Sequence, residues 1–352
     1  MSERRTRWIG HALLFGSLAV LVLGIAAFFV IHSLSNGPRL RAPTLPVPNG
    51  YDDLVRAGEA TIGSEPADGR LAAADEGELA AFVDSNGMAL GLLRRGLGHE
   101  IATPLQYTGG YLASHVSDYG PIRKAAHLLA AEGFLDLKRD RPGEAADRFL
   151  DLLRISRGLN RNGLLIDALI GIAIERLAFQ GLFQARGRLS AADCRRVAAA
   201  LLDFDRDREP FDAIRRRERD FALENGDWKL RLGYRVQHAA LDRLMQPAED
   251  GALFAIRANQ ARSRLLAVAL ALRAHRLDTK ADARALADLV PKDLPAVPID
   301  PFSPSGTPLR LNPGPPPQPY SIGPDGVDDG GTPLPGNRPH PDAKGDITAD
   351  PS

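Results

Sequence analysis

The chain has 352 residues, 25% of them charged, and its 44 Lys+Arg balance 44 Asp+Glu. That balance leaves no net field to draw nucleic acid or an anionic lipid surface, so no nucleic-acid partner is expected. A single cysteine, Cys194, excludes an intrachain disulfide and a cysteine-built metal site.

Arg4, Arg5 and Arg7 precede a run from Trp8 to Leu34 that is apolar almost throughout; His11 and Ser17 are the clearly polar side chains between Ile9 and Ile31. About 20 apolar residues span a bilayer as a helix, which pairs its own backbone groups. A cleaved signal peptide has a core of about 7–15 residues ending in small residues. This run is longer, and Ser33-Leu34-Ser35 is a poor cleavage site. The expectation is an uncleaved single-pass anchor over 8–34 behind a cytoplasmic head, 1–7. Arg39 and Arg41 follow the run, so the positive-inside rule favours a cytoplasmic N-terminus by a small margin. The body after the anchor is then extracytoplasmic, and about 300 residues suffice there for one large or two modest domains.

Residues 35–50 hold Pro38, Pro43, Pro46 and Pro48 and predict an extended spacer. Residues 51–261 predict a helical domain. Leu79, Phe82 and Val83 open a helical stripe that continues to Leu93 and Leu97, and Gly109-Gly110 and Gly120-Pro121 are read as breaks. A helical hairpin is expected from Ile122–Lys138 and Pro142–Arg157, with Pro142 in a first turn where its missing N–H is harmless. Gly133, Ala145 and Phe149 supply small, small and aromatic positions, and here the chain weakly resembles one tetratricopeptide repeat. Asp136 stands where that motif has an aromatic, and no second copy lies in register. Solenoids need about three repeats, so an ordinary αα-hairpin is favoured.

Residues 164–183 are apolar nearly all round. As a membrane span they would place Asp167, Glu175 and Arg176 in lipid at about 2.5–3.5 kcal/mol each; a buried bundle helix is expected instead. Ser190 and Asp193 predict an N-cap opening the next helix. The run 215–219, rich in arginine and flanked by Asp205, Asp207, Glu209, Asp212 and Asp220, reads as a solvated helix face laced with ion pairs. A long helix over 253–277 buries Leu265, Leu266, Val268, Ala269 and Leu272, and a short one ends at Pro291. Strands are expected around 309–311 and 320–322. Residues 332–352, poor in apolar side chains, predict a disordered tail. The fold class is thus mainly α, with a small β element after Pro291.

Asp300-Pro301-Phe302, Gly306-Thr307-Pro308-Leu309-Arg310 and Tyr320-Ser321-Ile322-Gly323-Pro324-Asp325-Gly326 resemble the C-terminal domain of type II secretion major pseudopilins. The resemblance covers 262–331 and implies a long helix, a short helix and a small sheet. It also implies a bacterial inner-membrane address, single-pass, outside the cytoplasm, and calcium in the loop after the last motif, with Asp325 and Asp328 as ligands. The family's leader motif is absent before Trp8, so neither processing by a prepilin peptidase nor polymerisation is implied.

Short catalytic motifs fail at required positions. His99-Glu100 has Thr103 where a zinc helix needs its second His. Gly96 and Gly98 lack the third glycine of a dinucleotide loop, and no nucleophile elbow occurs. His115 and His127 read as structural. Glu175, in the apolar helix, is either a general acid with a raised pKa or a buried carboxylate paired with Arg176 or Arg186. Around Asp325, Asp328 and Asp329 an EF-hand fails, because Val327 takes a ligand position and no Glu closes the loop. No catalytic residue and no cofactor beyond calcium is named. Two function classes remain: a non-catalytic interaction or assembly protein with an unidentified protein partner, accessory to secretion or envelope machinery, and an extracytoplasmic hydrolase whose site unites residues distant in sequence.

Overall fold

The computed structural model describes residues 40–226, 228–337 and 339–349. The expected anchor at 8–34 lies outside them. Among the described residues no helix is long and apolar enough to cross a membrane.

The molecule is mainly helical. Three helices come first: α1 (Gly50–Glu59), α2 (Glu76–Ser85) and α3 (Gly87–Leu97). Asn49 caps α1, accepting the Tyr51 N–H at 3.2 Å, and clasps Ala102 through its amide at 2.8 and 3.0 Å. That clasp fixes the end of the Pro-rich lead to the bundle. Next come α4 (Tyr111–Lys138), α5 (Pro142–Asn160), α6 (Leu165–Arg186) and α7 (Ala191–Arg206), followed by α8 (Phe211–Asn225) and α9 (Trp228–Thr279). Pro142 opens α5, and Ser190 caps α7 by accepting the Asp193 N–H at 3.1 Å.

The hairpin of α4 and α5 closes on Phe149, which is fully buried. A Cβ added to Gly133 would lie 2.8 Å from its ring, and one added to Gly181 of α6 would lie 2.2 Å away. Two helices therefore reach the Phe149 ring through missing side chains. His115 meets Asp167 near the starts of α4 and α6, and Gly133 and Gly181 flank Phe149 further on, so these two helices run in the same direction. Asp136, at the departing position of the repeat motif, is a buried carboxylate ion-paired with Arg141 and, at 3.9 Å, Arg148. Burial pushes its pKa up against the pull of both guanidinium groups.

The expected break at Gly120-Pro121 is corrected: α4 runs straight through Pro121. The proline leaves the Ser117 carbonyl without its helical N–H partner, and Ser117 is exposed, so water reaches that carbonyl. The starting turns are held by the burial of Tyr111, His115 and Tyr119 on the inner face. The backbone of α1 also seats against this point, where a Cβ on Gly58 would fall 1.8 Å from the Pro121 carbonyl oxygen.

Two large apolar cores form, with a small third cluster of Leu105, Tyr111, Leu164 and Phe221, and α9 belongs to both large ones. Leu266, Ala267, Leu270 and Ala274 complete the core of α1–α7. Ala261, Leu265, Val268, Ala271 and Leu272 face a second core with Leu286, Leu289, Leu309, Leu334 and Ile347. The sequence boundary at 261/262 thus falls inside one helix. Beyond it, a short 3-10 turn (Leu286–Leu289) leads to an antiparallel sheet in the order β1 (Arg310–Asn312), β2 (Gln318–Ser321), β3 (Ile347–Thr348). The register pairs Arg310 with Tyr320 and Ser321 with Ile347.

The expected disorder of 332–352 is corrected for its described residues. Leu334, Ala343 and Ile347 are buried, and Asp346 hangs the segment on the module by accepting the Gly331 N–H at 2.6 Å. Few apolar residues suffice because each is fully used.

Candidate functional site

Among the described residues, groups with chemical capacity gather at three places in the fold and along open hollows of the surface. The first lies between the starts of α1, α4 and α6. His115 Nε2 sits 2.7 Å from Asp167 Oδ1, and His115 Nδ1 sits 3.1 Å from the Tyr51 hydroxyl. Tyr51 also donates to Asp118 at 3.0 Å, and Tyr119 donates to Asp167 at 3.1 Å. The second Asp167 oxygen accepts the Leu164 N–H at 2.7 Å. Tyr111 stacks on the His115 ring at 4.8 Å. This is a carboxylate–imidazole–hydroxyl chain of the kind that activates nucleophiles. Its hydroxyl is not poised for that work: Tyr51, Tyr111 and Tyr119 are pushed far above the ordinary phenol range, first by burial and then by the neighbouring carboxylates. Tyr51, His115 and Asp167 are each at most 2% exposed, so a substrate has no route to them.

The second place is Glu175. Its partner is Arg208, not Arg176 or Arg186, which corrects the pairing expected from sequence. The guanidinium of Arg208 donates to both oxygens, at 3.1 and 2.8 Å, while Ser156 donates at 2.7 Å and Asn259 closes the shell. A carboxylate held this way is a cross-brace between α5, α6 and α9.

The third place is the C-terminal module. Asp300 accepts from the Phe302 N–H at 2.9 Å, the Ser321 hydroxyl at 2.7 Å and the Ile322 N–H at 2.8 Å. The separated motifs at 300–302 and 320–322 are thus one structural joint. Asp328 is ion-paired with Arg310 and accepts from Tyr320 at 3.1 Å, while Asp325 accepts the N–H of Val327 at 3.2 Å. Asp325 and Asp328 are therefore committed to different partners, and no three His, Cys, Asp or Glu side chains converge as a metal site among the described residues. Sequence reasoning missed Asp346, whose Oδ1 is buried without a hydrogen-bond partner. Burial raises its pKa, and Asp329 and Asp325 add to the shift against the backbone hydrogen bonds.

The other singled-out residues are structural. His127 pairs with Glu65 at 2.8 Å, Glu100 pairs with Arg161, and burial pushes the Cys194 thiol up to about 11.

A cleft of about 690 Å³ opens between the end of α6, α9 and the C-terminal module, and a second hollow of about 520 Å³, lined by Ser64, Glu65 and Ser85 among others, lies beside α2. In the cleft, Phe183, Arg186, Arg273, Arg276 and Asp282 form one wall, and the proline-rich stretch around Gln318 forms the other. Arg186 stacks over Phe183 at 4.2 Å, Arg273 donates to the Leu189 carbonyl at 3.2 Å, and Arg276 faces Asp282 at 3.7 Å. Among the described residues lining the cleft there is no His, Cys, Ser or Glu. Comparison with known proteins finds no match to this chain, whether among family models, curated proteins or solved structures.

Proposed function

We propose that the chain is a membrane-anchored, extracytoplasmic helical protein with a pilin-like C-terminal module, acting as a non-catalytic interaction or assembly protein accessory to secretion or envelope machinery. One observation carries this: the Asp167–His115–Tyr51 chain and the Glu175 cluster are locked in the core, whereas the cleft offers aromatic, proline and guanidinium surface, and the one carboxylate among its described lining residues, Asp282, is paired with Arg276. Aromatic and arginine side chains are the groups that anchor protein interfaces. The apolar run at 8–34 supports an inner-membrane anchor. The order of long helix, short turn and small sheet supports kinship with the pseudopilin module. Calcium binding at Asp325 and Asp328 belongs to the same proposal and requires Asp328 to exchange Arg310 for the metal.

Co-purification from detergent-solubilised native membranes tests the proposal, comparing the wild type with Arg276→Glu. Arg276 has 62% of its side chain exposed, so the substitution spares the core. A protein partner recovered with the wild type and depleted severalfold with the variant is expected. Equal recovery, or no partner at all, contradicts it. The alternative, an extracytoplasmic hydrolase, draws on the Asp167–His115–Tyr51 chain; a folded, normally abundant His115→Gln variant that behaves like a deletion would favour it.

A further inference from the structure

The starts of α4 and α6 carry almost no surface charge. Residues 111–120 include one charged side chain, Asp118, and residues 165–174 include one, Asp167, which is fully buried. In a chain 25% charged, two adjacent helix starts of this composition stand apart. Four large aliphatic side chains lie exposed there: Leu112 at 42%, Val116 at 46%, Ile166 at 38% and Leu169 at 42%. Each is within three residues of His115 or Asp167, whose 2.7 Å contact joins the two helices, so the four surround one junction. Large apolar side chains left exposed around one junction mark a contact with another apolar phase.

We propose that this patch docks on the lipid bilayer, a second membrane contact that rests on the anchor proposed above. The tether selects the occupant. Tyr51, the second residue of α1, touches His115 at 3.1 Å, so the chain enters the bundle at this junction. Residues 35–49 separate the anchor from α1, and at about 3.3–3.6 Å per residue they hold the junction within about 54 Å of the bilayer. Tethering makes the membrane the apolar phase with the highest effective concentration. Neither helix start supplies a cation, and Arg217, which donates to the Gly163 carbonyl just before α6, is paired with Glu209, so insertion is expected to depend on apolar contact and not on anionic headgroups. Leu169 and the cleft residue Phe183 lie about 21 Å apart along α6 at ~1.5 Å per residue. Docking by the patch therefore turns the cleft away from the bilayer, toward a partner.

The test is spin-label accessibility in the full chain reconstituted in phosphatidylcholine nanodiscs. Labels are placed at Leu112→Cys, Leu169→Cys, Val327→Cys and, in the apolar run, Val20→Cys; the buried Cys194 stays unlabelled. Labels at 112, 169 and 20 are expected to be reached severalfold better by lipid-dissolved oxygen than by an aqueous nickel chelate, with 327 showing the reverse. Labels at 112 and 169 matching the aqueous pattern of 327, while 20 reads lipid, overturn the docking and leave the anchor. An aqueous label at 20 overturns the anchor and, with it, the docking that rests on it. Adding anionic lipid should change nothing; docking that requires it also overturns the apolar mechanism.

Discussion

At the residue scale, buried titratable groups act as braces and reporters. Cys194 is fully buried, with its thiol pushed up to about 11, so at pH 8 about one molecule in a thousand carries a reactive thiolate. Alkylation of native protein should be slower than that of urea-unfolded protein by at least two orders of magnitude; comparable rates would show the α7 core to be open. Glu175→Gln takes from the Arg208 guanidinium, only 7% exposed, its bidentate counter-charge and leaves it Asp205 at 4.0 Å. Breaking a buried pair costs about 3–5 kcal/mol, so the variant's urea midpoint should fall while any phenotype of the folded fraction stays intact. A normally folded, normally abundant variant that behaves like a deletion would point to catalysis. Asp346 gives a pH signature. Burial raises its folded-state pKa above the unfolded value, so the native state holds its proton longer and stability declines as pH rises from about 4 through the raised pKa. Asp346→Asn should remove that decline in a series of thermal melts; an unchanged slope would show that another group sets it.

At the element scale, Phe149 is the keystone of α4, α5 and α6. Phe149→Ala empties a site between two glycines and should cost about 3–5 kcal/mol. Gly181→Ala does the opposite, forcing a Cβ to within 2.2 Å of the ring, and should cost about 1–3 kcal/mol by overpacking. A loss under about 1 kcal/mol for both in chemical denaturation would mean the helices are not closed on this ring. Much of this was legible in sequence: Gly133, Ala145 and Phe149 as packing positions, Pro142 and Ser190 as helix starts, and the strands near 310 and 320. Local rules failed where tertiary contacts decide. Pro121 stays helical because α1 and the buried tyrosines hold the turns before it. The segment after residue 332 orders because Leu334 and Ile347 find a core that lies far away in sequence. The His115–Asp167 contact spans 52 positions and the Glu175–Arg208 pair 33, so no spacing rule could find them.

At the scale of the whole molecule, one long helix serves two cores, and the cleft opens where they meet. The second core ties 261–272 to the sheet, so the C-terminal module and the bundle share α9 as a common wall. A partner seated in the cleft would touch both units and read their relative position. The most direct test is site-specific photocrosslinking in cells, with a benzophenone side chain at Gln318 in the cleft and, as a control, at Met88, which is 73% exposed and lies outside it. The proposed function predicts a discrete crosslinked protein from position 318, absent from position 88 and lost when Arg276→Glu is added. No crosslink at 318, or the same products from both positions, would contradict it.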